Sequence, residues 1–397
     1  MFRRYECTPL IVNRRANTNL TGLVLKKERK TLPAPFWVVS WFCFWAHPKT
    51  NALKNLYFVM LGLVCCLWTG TLSAQDIHYS QTGNSPLNLN PALTGGFDGD
   101  HRLIGNFRNQ WQVPVPYLQL AGSWDWRLRD REKRQMPVSV GAIFNYDRAG
   151  DAELSLAQLG LSASYAFRLS KSRPHFLTLA GNLGVAQRKF DPNKLQYASQ
   201  YDFKEGYLST NPDNENIART SRSFADMGLG VNLRLQAHPD SALNRTKLDL
   251  GLGAFHLNEP NRSFLRGIDD PLPRRISVYG LGTLMLASRF DLLLQAVGQF
   301  QGPHQEIVLG AGGLIHLNQT PTRELALQLG LGYRLDDALI PWAGLHYQNW
   351  QFHLSYDLNT SPINKATLYR GGPEISVIYI IRSVPPMQYC RLCPTYM

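Results

Sequence analysis

The stretch Leu118-Gln119-Leu120-Ala121-Gly122-Ser123-Trp124-Asp125-Trp126-Arg127-Leu128 alternates without a break: even positions are apolar or Gly, odd positions are Gln, Ala, Ser, Asp and Arg. A period of two sends successive side chains to opposite faces of a β-strand. The pattern returns at Leu325, Leu327, Leu329, Leu331, Tyr333 and Leu335, set against Glu324, Ala326, Gln328, Gly330, Gly332 and Arg334. It returns again at Trp350, Phe352, Leu354, Tyr356 and Leu358, set against Gln351, His353, Ser355, Asp357 and Asn359. No helical period competes in these stretches.

Weaker copies run over 138–146, 159–169, 177–185, 227–235, 248–254, 276–286, 290–300, 307–317 and 375–381, with further strands near 102–111 and 339–348. The total is about fourteen strands of roughly nine or more residues, long enough to cross a bilayer when tilted, whereas strands of soluble domains centre on about five or six. The sequence therefore predicts an all-β protein, a transmembrane antiparallel β-barrel over 101–382 whose first and last strands pair, because an open edge in lipid strands backbone polar groups. The polar phase carries both signs of charge, among them Asp125, Arg127, Asp147, Arg188, Arg234, Asp249, Arg334 and Asp357. In a barrel these residues line a wet lumen; in a soluble sandwich they form a solvated face, so charge alone leaves both open and strand length favours the membrane. Trp111, Tyr117, Trp126, Tyr146, Tyr165, Tyr333, Tyr347 and Trp350 fall near strand ends, as interfacial girdles require.

The chain of 397 residues has a net charge of +12, but its first 74 residues hold ten Lys and Arg against two Glu, which leaves +4 for the rest. A basic excess in a leader is no sign of nucleic-acid binding, and none is expected. Lys54, the apolar run Leu56 to Trp68 and the small residues closing at Ala74 follow the three-part plan of a secretory signal over 51–74, with Gln75 as the new N-terminus. Residues 1–50 fit no part of that plan and read as an extension upstream of the true start, with translation beginning at Leu53. Four of six cysteines (7, 43, 65, 66) lie in this leader, leaving Cys390 and Cys393 in a tail over 383–397. One C-x2-C without further ligands is weak for zinc and lacks the context of a redox motif.

No catalytic constellation is present: there is no G-x-S-x-G, no H-E-x-x-H and no P-loop. Gly251, Gly253, Gly280, Gly282, Gly310, Gly312 and Gly313 sit within alternating strands and read as close-packing positions. No enzyme activity, cofactor or metal is expected. The segment 191–223 is polar and turn-rich, with Asp191-Pro192-Asn193 and Asn211-Pro212-Asp213-Asn214, and reads as a long external loop whose Tyr197, Tyr201 and Tyr207 offer a contact surface. Turns such as Ser288-Arg289, Asp336-Asp337 and Gln348-Asn349 are short by comparison. Residues 75–100, rich in Asn and Pro, read as a periplasmic segment that emerges on the same side as the C-terminal tail.

Two regions carry a family likeness. Gln75-Asp76-Ile77-His78-Tyr79-Ser80-Gln81, then Pro86-Leu87-Asn88-Leu89-Asn90-Pro91-Ala92-Leu93-Thr94-Gly95 and Arg108-Asn109-Gln110-Trp111, resemble the N-terminal hallmark of the PorP/SprF family. Ser355-Tyr356-Asp357-Leu358-Asn359-Thr360-Ser361, Gly371-Gly372, Glu374-Ile375-Ser376 and Cys393-Pro394 resemble its last strands and tail. The resemblance implies an outer-membrane component of the type IX secretion system of Bacteroidota, helping adhesins or other cargo reach and stay on the surface, in some relatives for gliding motility. It implies partners among secretion components, cargo and a periplasmic cell-wall-linking protein, besides outer-membrane lipid. Asn90, Pro91, Arg108, Asn109 and Trp111 are candidate partner-binding residues, with the three loop tyrosines and with Cys390 and Cys393. A passive outer-membrane channel or small-solute transporter is the alternative, and an outer-membrane hydrolase a third reading.

Overall fold

In the computed structural model, alternation in sequence becomes a wall with two unlike faces. Along β1 (His101–Gln110) the even positions Arg102, Ile104, Asn106, Arg108 and Gln110 are buried, while Leu103, Gly105 and Phe107 are exposed. Across the molecule the buried set includes Arg108, Gln119, Asp125, Asp226, Asp291 and Glu374, whereas Leu161 and Leu183 are each 63% exposed. That inversion of a water-soluble protein is what a lipid-facing barrel with a polar interior requires.

The structure describes residues 76–382 apart from 111–115, 130–134, 172, 203–205, 209–218, 238–243, 321–322 and 362–369, all within the compact unit Leu72–Met397. The expected signal at 51–74, the extension at 1–50, Trp111 and the tail with Cys390 and Cys393 lie outside the described residues. After β1 come β2 (Tyr117–Arg129), β3 (Gln135–Ala149), β4 (Leu154–Arg168), β5 (Phe176–Lys189), β6 (Ser221–Gln236) and β7 (Lys247–Phe255). The circuit continues with β8 (Arg275–Ala287), β9 (Phe290–Gln301), β10 (His304–Thr320), β11 (Arg323–Arg334), β12 (Ala338–Tyr347), β13 (Trp350–Asn359) and β14 (Arg370–Ile381). Each pairs antiparallel with its sequence neighbour, and β14 pairs with β1 from His101↔Ile381 to Arg108↔Glu374, closing a barrel of fourteen strands. Closure leaves no open edge, as expected.

Glycines on the lumenal side make room for large neighbours. A Cβ on Gly330 would lie 2.3 Å from the Trp342 indole, and one on Gly251 would lie 2.2 Å from the Tyr279 hydroxyl. Outward aromatics stack near strand ends: Trp124 with Trp126 at 6.4 Å, and Trp350 with Phe352 at 5.9 Å. Tyr117 departs from the girdle expectation, because it falls on the lumenal phase of β2 and its hydroxyl donates to Asp147 at 3.2 Å. The two faces give a direct test. Arg at Leu329, which is 49% exposed toward lipid, should cost about 2–4 kcal/mol in a folding titration into bilayers. Arg at Gln328, on the opposite face, should cost much less, and equal penalties would mean that the sheet does not separate lipid from lumen.

The two longest connections, 190–220 and 256–274, leave the same end of the barrel. They touch there: the Phe190 and Phe264 rings meet edge-on at 4.7 Å, and Arg222 donates to the Asn261 carbonyl at 3.3 Å. Length does not alternate strictly, because tight turns at 302–303 and 335–337 share that end, while 288–289 and 348–349 turn at the other. Asp336-Asp337 thus lies on the long-connection side.

Candidate functional site: a lumenal seat for residues 76–100

Two prolines open two short helical turns in the segment ahead of β1, Pro86–Leu89 and Pro91–Leu93, each with Pro in the first position, where a missing N–H costs nothing. Asn90 joins them. Its backbone ends the first turn and its side-chain oxygen accepts the Ala92 N–H at 2.8 Å, capping the second. Its amide nitrogen donates to the Val231 carbonyl at 2.9 Å and to the Tyr279 hydroxyl at 3.0 Å, on β6 and β8. Gly230 and Gly253 open the notch: a Cβ on Gly230 would sit 1.8 Å from the Asn90 oxygen, and one on Gly253 would sit 2.9 Å from the Leu89 carbonyl. Leu89 and Leu93 pack on Tyr279 and Val297, and Phe97 packs on Ile104, Ile378 and Ile380.

The segment runs the length of the lumen. Asp76 lies at the long-connection end, where its N–H donates to Gln301 at 3.0 Å and its carboxylate pairs with Arg275 at 2.8 Å and His256 at 3.0 Å. Asp100 lies at the other end, donating its N–H to the Ile381 carbonyl at 2.8 Å. The structure thus differs from the expectation that residues 75–100 emerge beside the C-terminal tail: residues 76–100 are threaded through the barrel, and Asp76 and Ile381 stand at opposite ends. The physical reason lies in the wall. Irregular backbone cannot be buried unless its carbonyls and N–H groups find partners. Arginines supply them: Arg102 donates to the Leu93 carbonyl, Arg108 to His78, Arg127 to Phe97, Arg234 to Gly96, and Arg275 to both Ile77 and Asn88. Carboxylates take the N–H groups, with Glu374 accepting from Ser80 and Gln81, and Asp125 from Gly95.

These wall groups are themselves paired. Arg108 contacts Asp357 at 2.6 Å and lies 3.8 Å from Glu374, and Arg334 reaches Asp357 at 3.1 Å. The Ser80 hydroxyl completes the knot, donating to Asp357 at 2.7 Å and accepting from Arg334 at 2.6 Å. Arg102 grips Asp125 with two nitrogens, at 2.9 and 2.7 Å, and Arg234 grips Asp249 likewise at 2.8 and 3.0 Å.

At the mouth, burial alone would raise the Asp76 carboxyl, but Arg275 and His256 overcome it and hold the group well below the usual carboxylate range. Burial alone would lower the His256 imidazole, but Asp76 and Asp226 on either side raise it to about 9. A raised histidine contributes stability that is complete below its ordinary value near 6.5 and is lost as pH rises through about 9. Asp76 has the opposite sign: its contribution is present above the ordinary carboxylate value and is lost as pH falls through the depressed one. Burial, aided by Arg108 and Arg334, outweighs Glu306 and pushes His78 down to about 4, so above pH 7 it is neutral folded or unfolded and adds no slope. A spin label on the segment near residue 83 should therefore be immobile at neutral pH and gain mobility as pH rises through about 9. Equal mobility at pH 7 and 10 would exclude His256 as part of the lock.

Of the residues singled out in sequence, Asn90, Pro91 and Arg108 are buried together in this seat, with Asn90 and Arg108 wholly covered. Asn109 lies on the other phase of β1, its carbonyl against Gly372, where an added Cβ would clash. Tyr197, Tyr201 and Tyr207 gather in the long connection around Gln200: the Tyr207 hydroxyl donates to the Gln200 side chain at 3.3 Å, and Tyr201 pairs with Tyr207 in a two-residue ladder. Tyr201 and Tyr207 are exposed. The two groups are not brought together. Sequence reading missed Arg102, Asp226, His256 and Arg275 as parts of the seat: His256 and Arg275 meet Asp76 from nearly two hundred residues away, Asp226 acts on it through His256, and Arg102 reaches the Leu93 carbonyl from a residue that carries no local signal. Among the described residues no cluster of His, Cys, Asp and Glu could hold a metal ion.

Among solved structures the barrel is similar to the toluene transporter TbuX of Ralstonia pickettii at 13% identity, TM-score 0.45, covering 79% of this chain and 96% of that one. It is also similar to CdiB of Acinetobacter baumannii at 9% identity, TM-score 0.38, covering 70% and 59%, and to BamA of Haemophilus ducreyi at 7% identity, TM-score 0.35, covering 71% and 70%. No curated protein matches the chain by sequence. The family model described as type IX secretion system membrane protein PorP/SprF matches residues 71–379, so the chain belongs to the PorP/SprF family.

Proposed function

We propose that the protein is a non-enzymatic docking component of the type IX secretion system in the outer membrane, helping secreted adhesins or other cargo reach and stay on the cell surface, including in gliding. One observation carries this over a passive channel. Residues 76–100 run through the lumen from end to end, and charged wall groups such as Glu374, Arg108 and Arg275 are engaged in holding them. Outer-membrane barrels carry long connections outward, so the rim built by 190–220 and 256–274 faces outside and meets cargo through Tyr201 and Tyr207. The opposite end, where β14 finishes, faces periplasmic partners that link the barrel to the cell wall. On this reading protease added to intact cells cuts within 190–220.

Two measurements test the reading. The purified barrel in a planar bilayer should pass little steady current; an ohmic current typical of an open pore would favour the channel. Deleting the gene should deplete one or more surface proteins from the cell envelope while leaving small-solute uptake intact, and the reverse outcome would sink the secretion role.

A further inference from the structure

Arg188 on β5 and Arg222 on β6 are direct cross-strand partners on the lumenal phase at the long-connection end. Like charges directly opposite in a sheet destabilise it. Arg222 has the Asn261 carbonyl, and Arg262, which reaches in from 256–274, has Asp270 at 2.9 Å. Arg188 makes no hydrogen bond or ion pair among the described residues. It lines, with Arg262, Tyr117, Asp147, Phe224 and Leu272, a cavity of about 430 Å³ between the start of the threaded segment and the barrel wall. Asp147 stands in the same row of the wall, two strands from Arg188 with Leu156 between them, and its carboxylate accepts from the Leu156 N–H at 3.0 Å and the Tyr117 hydroxyl at 3.2 Å.

The cavity is thus bipolar. One side of it offers guanidinium N–H groups with capacity to spare, the Asp147 carboxylate stands two strands along, and apolar side chains share the lining. We infer that it takes a carboxylate-bearing peptide segment, with the ligand's carboxylate on Arg188 and Arg262, a backbone N–H turned to Asp147, and an apolar side chain against Phe224 and Leu272. A guanidinium binds a carboxylate through two parallel hydrogen bonds, and a buried polar wall rejects ligands that leave it unpaired. A phosphate dianion fits less well, because Asp76 and Asp147 line the same space. The inference rests on the docking role above and names the chemistry that the outer mouth recognises.

Purified barrel in detergent would be titrated, by fluorescence anisotropy, with an N-fluoresceinyl dileucine carrying a free carboxylate, with its C-terminal amide, and with inorganic phosphate as competitor. The acid should bind at least tenfold more tightly than the amide, and R188Q should abolish that preference. R188Q should also leave the thermal unfolding midpoint unchanged or raise it, because it removes the Arg188–Arg222 opposition. No saturable binding of the acid, equal binding of acid and amide, or displacement by phosphate at lower concentration than by unlabelled peptide acid would each overturn the assignment. So would a lowered midpoint in R188Q, which would make Arg188 a structural cation. The assay is independent of secretion in cells, so its failure leaves the docking role standing, and failure of the gene-deletion test leaves the binding result interpretable.

Discussion

Replacing Arg108 with Ala should remove about 3–5 kcal/mol of stability, the usual consequence of deleting one partner from a buried charged network. Arg108 has no solvent exposure, and it contacts Asp357 at 2.6 Å, approaches Glu374 at 3.8 Å and donates to the His78 carbonyl at 2.7 Å. Without it Asp357 keeps Arg334 and Ser80, but Glu374 retains only the Ser80 and Gln81 N–H groups against a full negative charge. The damage therefore spreads to both the barrel seam, since Arg108 pairs with Glu374 across β1 and β14, and the threaded segment. Arg108→Lys keeps the charge but not the planar fork that donates to His78 and Asp357 while facing Glu374, and should fall between wild type and Ala. Arg168→Ala is the control: this exposed arginine donates only to the Ser170 and Lys171 carbonyls, and its loss should cost about 0.5 kcal/mol or less. Urea titration in lipid vesicles, read by heat-sensitive gel mobility, measures the series. If R108A proves as stable as R168A, the network does not hold the barrel.

Gly230→Val should open the lumen. A Cβ at that position would lie 1.8 Å from the Asn90 oxygen and 3.1 Å from the Ala92 nitrogen, so the turn at 86–93 cannot stay in its notch. The strand itself tolerates valine, whose branched side chain suits a pleated sheet. The expected result is a barrel that still folds, with Asn90 withdrawn from Val231 and Tyr279 and a steady current where wild type has little. Gly122→Val, with nothing within 4 Å of its Cβ, should fold and stay closed. A G230V barrel as tight as wild type, with 86–93 still protected from protease, would mean that the segment has another stable seat.

The wall is legible in local patterning. Period-two alternation at 118–128, 325–335 and 350–359 carries the identity of the lumenal face without knowledge of any neighbour, because the side-chain period of a strand is a local property of its backbone. Arg102, which the sequence left unremarked, and Asp125, which it placed in the lumen, end up gripping each other there. The closing pair of strands follows from the cost of an open edge in lipid, and the structure has it from His101↔Ile381 onward. Tyr117 marks the limit of composition as a guide: an aromatic near a strand end reads as a girdle, yet its phase turns it to Asp147.

The path of residues 76–100 follows from barrel closure and long-range contacts. Read locally, Pro-Leu-Asn-Leu-Asn-Pro is a stiff, turn-rich stretch with no strand period, and such stretches ordinarily lie outside the sheet. Its partners lie far along the chain: Ser80 meets Asp357 and Glu374 at separations of 277 and 294 residues, and Asn90 meets Tyr279 at 189. No window of sequence contains both halves of such a contact. Once fourteen strands close, their lumenal arginines and carboxylates face one another in a confined space, where an unpaired charge is costly and a backbone offering carbonyls and N–H groups in turn is the partner that satisfies both signs.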